Sequence, residues 1–177
     1  ERIVRIVLHP DDPNVVYAAA LGKLWGENSQ RGVYQTTDGG KTWKKILYHG
    51  PRTGACDLVM APDNPNHLIA ALWEHYRKPW FFHSGGPGSA LYMTVDGGAT
   101  WKKQNDQLPE GDLGRIGLAF AQNRPQVVYA LVEAQKSALF RSEDGGYTWN
   151  KVNDKPGIHG RPFYYSRIQV NPVNENI

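Results

Sequence analysis

The octapeptide TTDGGKTW, Thr36 to Trp43, decides the reading of this chain, because it occurs three times. It returns as TVDGGATW at Thr94 to Trp101 and as SEDGGYTW at Ser142 to Trp149, so that Asp38, Asp96 and Asp144 are 58 and 48 residues apart. A second element keeps the same order: HPDDPNVVYAA from His9, APDNPNHLIAA from Ala61, AQNRPQVVYAL from Ala121 and a shortened NPVNENI from Asn171. Two elements repeating together at a period near 50 residues indicate a repeat architecture.

Within one repeat, four short runs rich in Val, Ile, Tyr and Trp are punctuated by Pro, Asn, Asp and Gly: Ile3 to Leu8, Val15 to Ala20, Gly32 to Thr36 and Thr42 to Tyr48. Four antiparallel strands per repeat predict the blades of an all-β propeller. The expected units are 1–50, 51–106 and 107–155. Residues 156–177 would supply the first strand of a further blade, over Phe163 to Val170. Three blades and one strand leave the ring incomplete, so the chain is expected to be part of a longer propeller.

In each octapeptide the Ser/Thr and the Asp two residues on share one strand face, and Gly-Gly permits the positive φ of a tight reversal. The Trp that follows opens the next strand and can bury its ring between hairpins. The predicted structural set is Thr36, Asp38, Gly40 and Trp43, then Thr94, Asp96, Gly98 and Trp101, then Ser142, Asp144, Gly146 and Trp149. A catalytic or metal-binding role would need these aspartates to converge, and three equivalent blades hold them apart.

Strand parity places these turns and the Asp11–Asn14 and Asp63–Asn66 turns on one face of the blades. The opposite face receives the irregular segments, of which WEHYRKPWFFHSGGPGS, Trp73 to Ser89, is the longest. Trp25, Trp73 and Trp80 fall in or beside such segments, interleaved with His75, Arg77, Lys78 and His83, as in a surface that recognises sugar rings or peptide side chains. The alternative is that Trp80, Phe81 and Phe82 pin a long loop onto its own blade. His75 and His83 lie eight residues apart with no acidic partner in register, so no metal is expected. Gly85 to Gly88 lacks the Lys-Ser/Thr of a phosphate loop.

Glu74 is the insertion's one carboxylate, and Asp57, Asp106, Glu110, Asp112 and Glu133 are expected on or near the same face. A glycosidase needs two such groups at a defined separation, which the sequence does not place. Arg5, Asp57, Gly117 and Arg167 occupy equivalent positions of the innermost strand, with Arg115 two residues before Gly117. Rim arginines suit a carboxylate clamp, or an ion pair between blades such as Arg5 with Asp57. GRPFYYSRI, Gly160 to Ile168, brings Arg161, Tyr164, Tyr165 and Arg167 to this rim.

The bulk properties exclude several classes. Twenty basic and 17 acidic residues give a net charge of +3 without a run of Lys/Arg beyond two, so no nucleic-acid partner is expected. The single cysteine, Cys56, rules out an internal disulfide framework and a cysteine zinc cluster, and reads as a small buried apolar residue. No stretch reaches the ~18 apolar residues of a membrane span.

The boxes, the Asp/Asn/Pro turns and the four-strand period together resemble the Asp-box (BNR) repeat β-propeller superfamily. The nearest look is to sortilin/VPS10-like and xyloglucanase-like bacterial repeat proteins, often labelled glycosyl hydrolases, on RKPWFFHSGGPGSALYMTVDGGATW and RPFYYSRIQVNP. The resemblance implies a secreted or cell-envelope protein without cofactor. Its sialidase members would bring an arginine triad, which Arg5, Arg167 and Arg115 fit, and a nucleophilic tyrosine, which Tyr164 or Tyr165 fits; the rest of that catalytic set has no positional counterpart. The expected function is a non-catalytic scaffold that binds a protein, peptide or glycan, or other domains of its parent. The alternative is a glycoside hydrolase using rim carboxylates.

Overall fold

The computed structural model describes residues 2–177, which form three antiparallel sheets side by side. The first runs β1 (Arg2–Leu8), β2 (Val16–Gly22), β3 (Gly32–Thr36) and β4 (Lys44–Leu47) in chain order. The second orders β5 (Thr53–Ala61), β6 (Asn64–Lys78), β8 (Ala90–Thr94) and β9 (Lys102–Lys103), with β7 (Phe81–Ser84) paired to the far end of β6. The third holds β10 (Ile116–Phe120), β11 (Val128–Val132), β12 (Ala138–Ser142) and β13 (Asn150–Asn153). The chain is therefore an array of propeller blades with an incomplete ring.

The second strand of each blade explains why the sheets stack. On β6, Leu68, Ala70 and Leu72 pack towards the first blade, whereas Ile69, Ala71 and Trp73 pack towards the third. This is the period-2 alternation of a strand buried on both faces. Small side chains let the sheets approach closely: a Cβ on Gly54 would stand 2.5 Å from the carbonyl oxygen of Leu21 in the neighbouring blade.

A buried carboxylate also ties the blades together. Asp57 Oδ1 accepts from Arg5 Nε of the first blade at 2.8 Å, and Oδ2 accepts from the Leu118 backbone N–H of the third at 2.9 Å. The expected Arg5–Asp57 ion pair thus exists and extends to a third sheet. Cys56 is buried beside it, and desolvation pushes its thiol up to about 12, which makes it inert.

The boxes are turn staples with the same bonds three times. Thr36 Oγ1 donates to Asp38 Oδ1 at 2.7 Å and accepts from the Gly40 N–H at 3.0 Å. Asp38 in turn accepts from the N–H and Oγ1 of Thr42 at 2.9 and 2.6 Å. Thr94, Asp96, Gly98 and Thr100 repeat the pattern, as do Ser142, Asp144, Gly146 and Thr148. The two glycines of the first box have φ of 71° and 91°, a region L side chains avoid. Each box also meets the turn it was expected to share a face with: the N–H groups of Gly39, Gly97 and Gly145 donate to the carbonyls of Asn14, Asn66 and Gln126.

Two expectations need correction. No strand forms over Phe163 to Val170; Pro162–Tyr165 is a short helical turn, and the following residues make no ladder. Ile168 and Val170 still pack on Val127 and Tyr129 of the third blade, with no partner strand among the described residues. Trp73 to Ser89 is likewise not an irregular loop. β6 continues to Lys78 and returns as β7 with Lys78 opposite Phe81, a hairpin standing off the blade.

Candidate functional site

At the end of the blades opposite the boxes lies a cavity of ≈ 620 Å³, lined by the start of β1, the β2–β3 connection, the β6–β7 hairpin and the helical turn. Its polar lining is cationic, with Arg2, Arg77, Arg115 and Arg167, and its apolar lining includes Trp25, Phe163 and Tyr164. No Asp or Glu is among the lining residues.

Arg77 is held over the rings of Trp25 at 5.4 Å and Phe163 at 5.3 Å. Arg115 lies over Trp73 at 5.6 Å, and its Nη1 donates to the carbonyl oxygen of Phe163. Aromatic faces under guanidinium groups fix them without neutralising their charge. Burial and then the nearby Arg115 lower the Arg2 pKa, as expected where like charges share a partly desolvated site.

Beneath the cavity the structure departs from the expected exposed recognition loop. Trp73 and His75 are fully buried. Their rings stack at 4.3 Å, and Trp73 Nε1 donates to Ser84 Oγ at 3.1 Å. His75 Nδ1 accepts from the buried Arg31 at 3.1 Å. Desolvation first and Arg31 second push its pKa down to about 3, so the imidazole is neutral and walled off by a guanidinium. Trp73 and His75 are therefore packing residues, because the hairpin folds over them and the extended β6 alternates them inwards.

The other expected site residues divide clearly. Trp80 caps the hairpin with 80% exposure, and Phe81 stacks on His83 beside it, both accessible. Phe82 packs against Trp73 and Phe163, so the pinning alternative holds for this ring and fails for Trp80. Tyr164 and Tyr165 are exposed at the turn, where Arg161, at φ 50°, precedes Pro162. Arg161 does not line the cavity, whereas Arg167 and Tyr164 do.

The carboxylates divide into engaged and exposed groups. Glu74 accepts from the Gly88 N–H at 2.9 Å. Glu133 accepts from the Arg115 N–H at 2.7 Å and from Ser84 Oγ at 2.8 Å. Asp106, Glu110 and Asp112 are exposed on the β9–β10 connection and stand outside the cavity lining. The sequence reading missed Arg2, Arg31 and Phe163. Arg31 carries no signal, since arginine before a strand is ordinarily solvated, and its partners Arg52 and His75 are 21 and 44 residues away.

The fold and its three staples define an Asp-box β-propeller. The BNR/Asp-box repeat family matches residues 34–45. Among curated proteins, the chain is 32% identical over 119 residues to a probable oligoxyloglucan-reducing end-specific xyloglucanase of Neosartorya fischeri, covering 64% of this chain and 13% of that protein. It is 27% identical over 140 residues to a xyloglucanase of Paenibacillus sp, covering 71% of this chain and 12% of that one. The chain thus spans only about an eighth of the curated relatives it matches. Among solved structures, the GH74 xyloglucanase of Xanthomonas campestris superposes with a TM-score of 0.65 at 18% identity, over 97% of this chain and 25% of that one. An ancestral GH74 enzyme gives 0.63 at 20% identity, over 88% and 19%. These two likenesses establish the fold. The relatives lie on the xyloglucanase side of the expected resemblance, and its sortilin/VPS10-like side draws no support from them.

Proposed function

We propose that the chain is the carbohydrate-facing portion of a xyloglucanase-like glycoside hydrolase, with polysaccharide lying across the end of the blades opposite the Asp-boxes. The observation that carries this reading is the concentration of exposed aromatic rings: Trp25, Trp80, Phe81, Tyr164 and Tyr165 are exposed at that end, around or beside the cavity, against Trp43 and Tyr147 at the box end. Flat apolar faces with polar edges suit the C–H faces of sugar rings. The xyloglucanase relatives support the same ligand class. Residues 1–50, 51–106 and 107–155 are the repeat units in this reading, with 156–177 in the inner position of a further blade, and the protein acts outside the cell or at its envelope.

A second reading, a non-catalytic scaffold that binds a glycan, protein or peptide or packs on other domains of its parent, is favoured by the carboxylates. Glu74, Glu133 and Asp57 are each committed to backbone N–H groups. Each therefore has a structural role in holding a loop or a contact between blades.

The test uses the intact natural chain in affinity electrophoresis through xyloglucan together with an assay of reducing-end release. Retention is expected, and Trp80→Ala should weaken it several-fold without moving the melting temperature. Retention with hydrolysis supports the enzyme, and retention without hydrolysis supports the scaffold. A wild-type chain that migrates freely overturns the carbohydrate reading.

A further inference from the structure

The helical turn that carries Tyr164 to the cavity is closed by a histidine. Arg115 holds the start of the turn, with Nη1 donating to the carbonyl oxygens of Pro162 and Phe163, and the Phe163 ring packs on Trp73 and Phe82. The end of the turn is tied by a second contact: His159 Nε2 lies 2.5 Å from Oγ of Ser166, which is 3% exposed. Arg167, next in the chain, lines the cavity together with Tyr164. His159 is half-buried, and its Nδ1 is buried with no hydrogen-bond partner among the described residues. A neutral imidazole leaves only an uncharged nitrogen unpaired there. An imidazolium carries a proton on both nitrogens, so the ionised ring would bury a charged donor without an acceptor. The charged groups around the ring are Arg115 at the start of β10, Lys136 on the β11–β12 connection, and Asp154 and Lys155 on its own segment; the last three line a cavity of ≈ 270 Å³ with it. Asp154 is already paired with Lys151 at 2.7 Å. Desolvation above all, and the charge of Arg115 with it, lower the His159 pKa, outweighing a bond to its own backbone that raises it.

We propose that His159 and Ser166 form an acid-released latch: the neutral ring ties Ser166 down and fixes Tyr164 and Arg167 in the cavity wall, and protonation of the ring frees the turn. One wall of the cavity therefore loosens as the medium acidifies, whatever ligand the cavity takes. The sign follows from linkage. Opening the turn returns the ring to water and to its ordinary pKa, so the open form binds more protons than the closed one. Closure is then complete above pH ~6.5 and is lost progressively as pH falls below it. Tyr164 transmits the change further, since Arg77 Nη1 of the β6–β7 hairpin approaches its Oη at 3.5 Å.

Hydrogen-exchange mass spectrometry of the intact natural chain at pH ~7.5 and pH ~5, with rates corrected for their intrinsic pH dependence, tests the latch. Exchange across residues 160–167 is expected to rise at least ~5-fold at the lower pH while β11 stays protected. His159→Gln keeps a polar side chain that does not titrate and should abolish the rise. Ser166→Ala should give fast exchange of the turn already at the higher pH. A proton-NMR titration should place the His159 midpoint below the ordinary histidine value. Equal corrected rates at the two pH values overturn the proposal. So does the wild-type acid response persisting in His159→Gln, a rise that β11 shares, slow exchange of the turn in Ser166→Ala, or a His159 midpoint at or above the ordinary value.

Discussion

The three box tryptophans are chemically equivalent in sequence and unequal in the fold, which makes them a test of how blades cohere. Trp149 is 3% exposed and belongs to the core between the second and third blades, where Ile69 reaches the same box. Trp101 packs with Ile46 of the first blade. Trp43 is 44% exposed and has no preceding blade among the described residues. If the ring stabilises by filling the seam with the blade before it, Trp149→Ala should cost much more than Trp43→Ala in this 177-residue chain. Taking roughly 200 Å² for an indole side chain and about 25 cal/mol per Å², the difference in burial between the two sites corresponds to about 2 kcal/mol. The Trp149 change itself falls in the range of about 3–5 kcal/mol for a large aromatic removed from a core. Urea unfolding followed by far-ultraviolet circular dichroism reads both values, provided the slope of free energy against urea stays constant. Equal losses at the two sites would refute the reasoning and show that each ring serves its own hairpin.

Three further outcomes follow from the same contacts. Asp57→Ala removes the acceptor shared by Arg5 and the Leu118 N–H and should destabilise by about 3 kcal/mol, the low end for a broken buried pair because Arg5 is part-exposed; thermal unfolding checks it, and a loss near zero would mean that the three sheets do not rely on this carboxylate. The bonds from Thr42 and Thr36 lower Asp38 to about 2, those from Thr100 and Thr94 do the same for Asp96, and at Asp144 burial opposes the bonds from Thr148 and Ser142 but does not cancel them. Depressed carboxylates bind fewer protons folded than unfolded, so their stabilisation is complete above pH ~4 and is lost as pH falls towards 2, which melting temperatures across that range should show. Cys56, buried and with its pKa near 12, should react with a thiol reagent only at the rate of unfolding; fast labelling of the native chain would contradict its burial.

The boxes were legible because their chemistry is local. Every bond of the staple spans two or four residues, so residue type and spacing carry the geometry. The β6–β7 hairpin was less visible, although its signal is present: Pro79-Trp80 is a two-residue reversal between Lys78 and Phe81, and the histidine, arginine and aromatic residues on either side mask the apolar alternation of a strand. The burial of Trp73 and His75 was not legible at all. It depends on Arg31, 44 residues before His75, and on Ser84 and Phe163, which only the stacked blades bring together. The Arg5–Asp57 pair was readable in advance because both occupy the same position of successive repeats, which propeller symmetry makes neighbours.

The two ends of the blades are therefore built on different physical terms. At the box end each blade closes its own turn, and the link to the next blade is apolar packing with bonds to a backbone carbonyl, as from Tyr17 Oη and Gln35 Nε2 to that of Gly97 at 3.0 and 3.3 Å. At the opposite end polar bonds run between blades: Trp73 Nε1 donates to Ser84 Oγ, Ser84 Oγ donates to Glu133 Oε2, and the same oxygen accepts from the Arg115 N–H. One carboxylate of the third blade thus positions both the root of the second blade's hairpin and the arginine that faces the cavity. Because Glu133 holds both, the hairpin cannot shift without disturbing a bond that places Arg115, and the cavity inherits the rigidity of two blades where a mobile loop would give it none. Sequence variation at the hairpin tip, around Trp80, leaves this relay untouched. Substitution at Ser84 or Glu133 reaches the cavity although neither residue lines it.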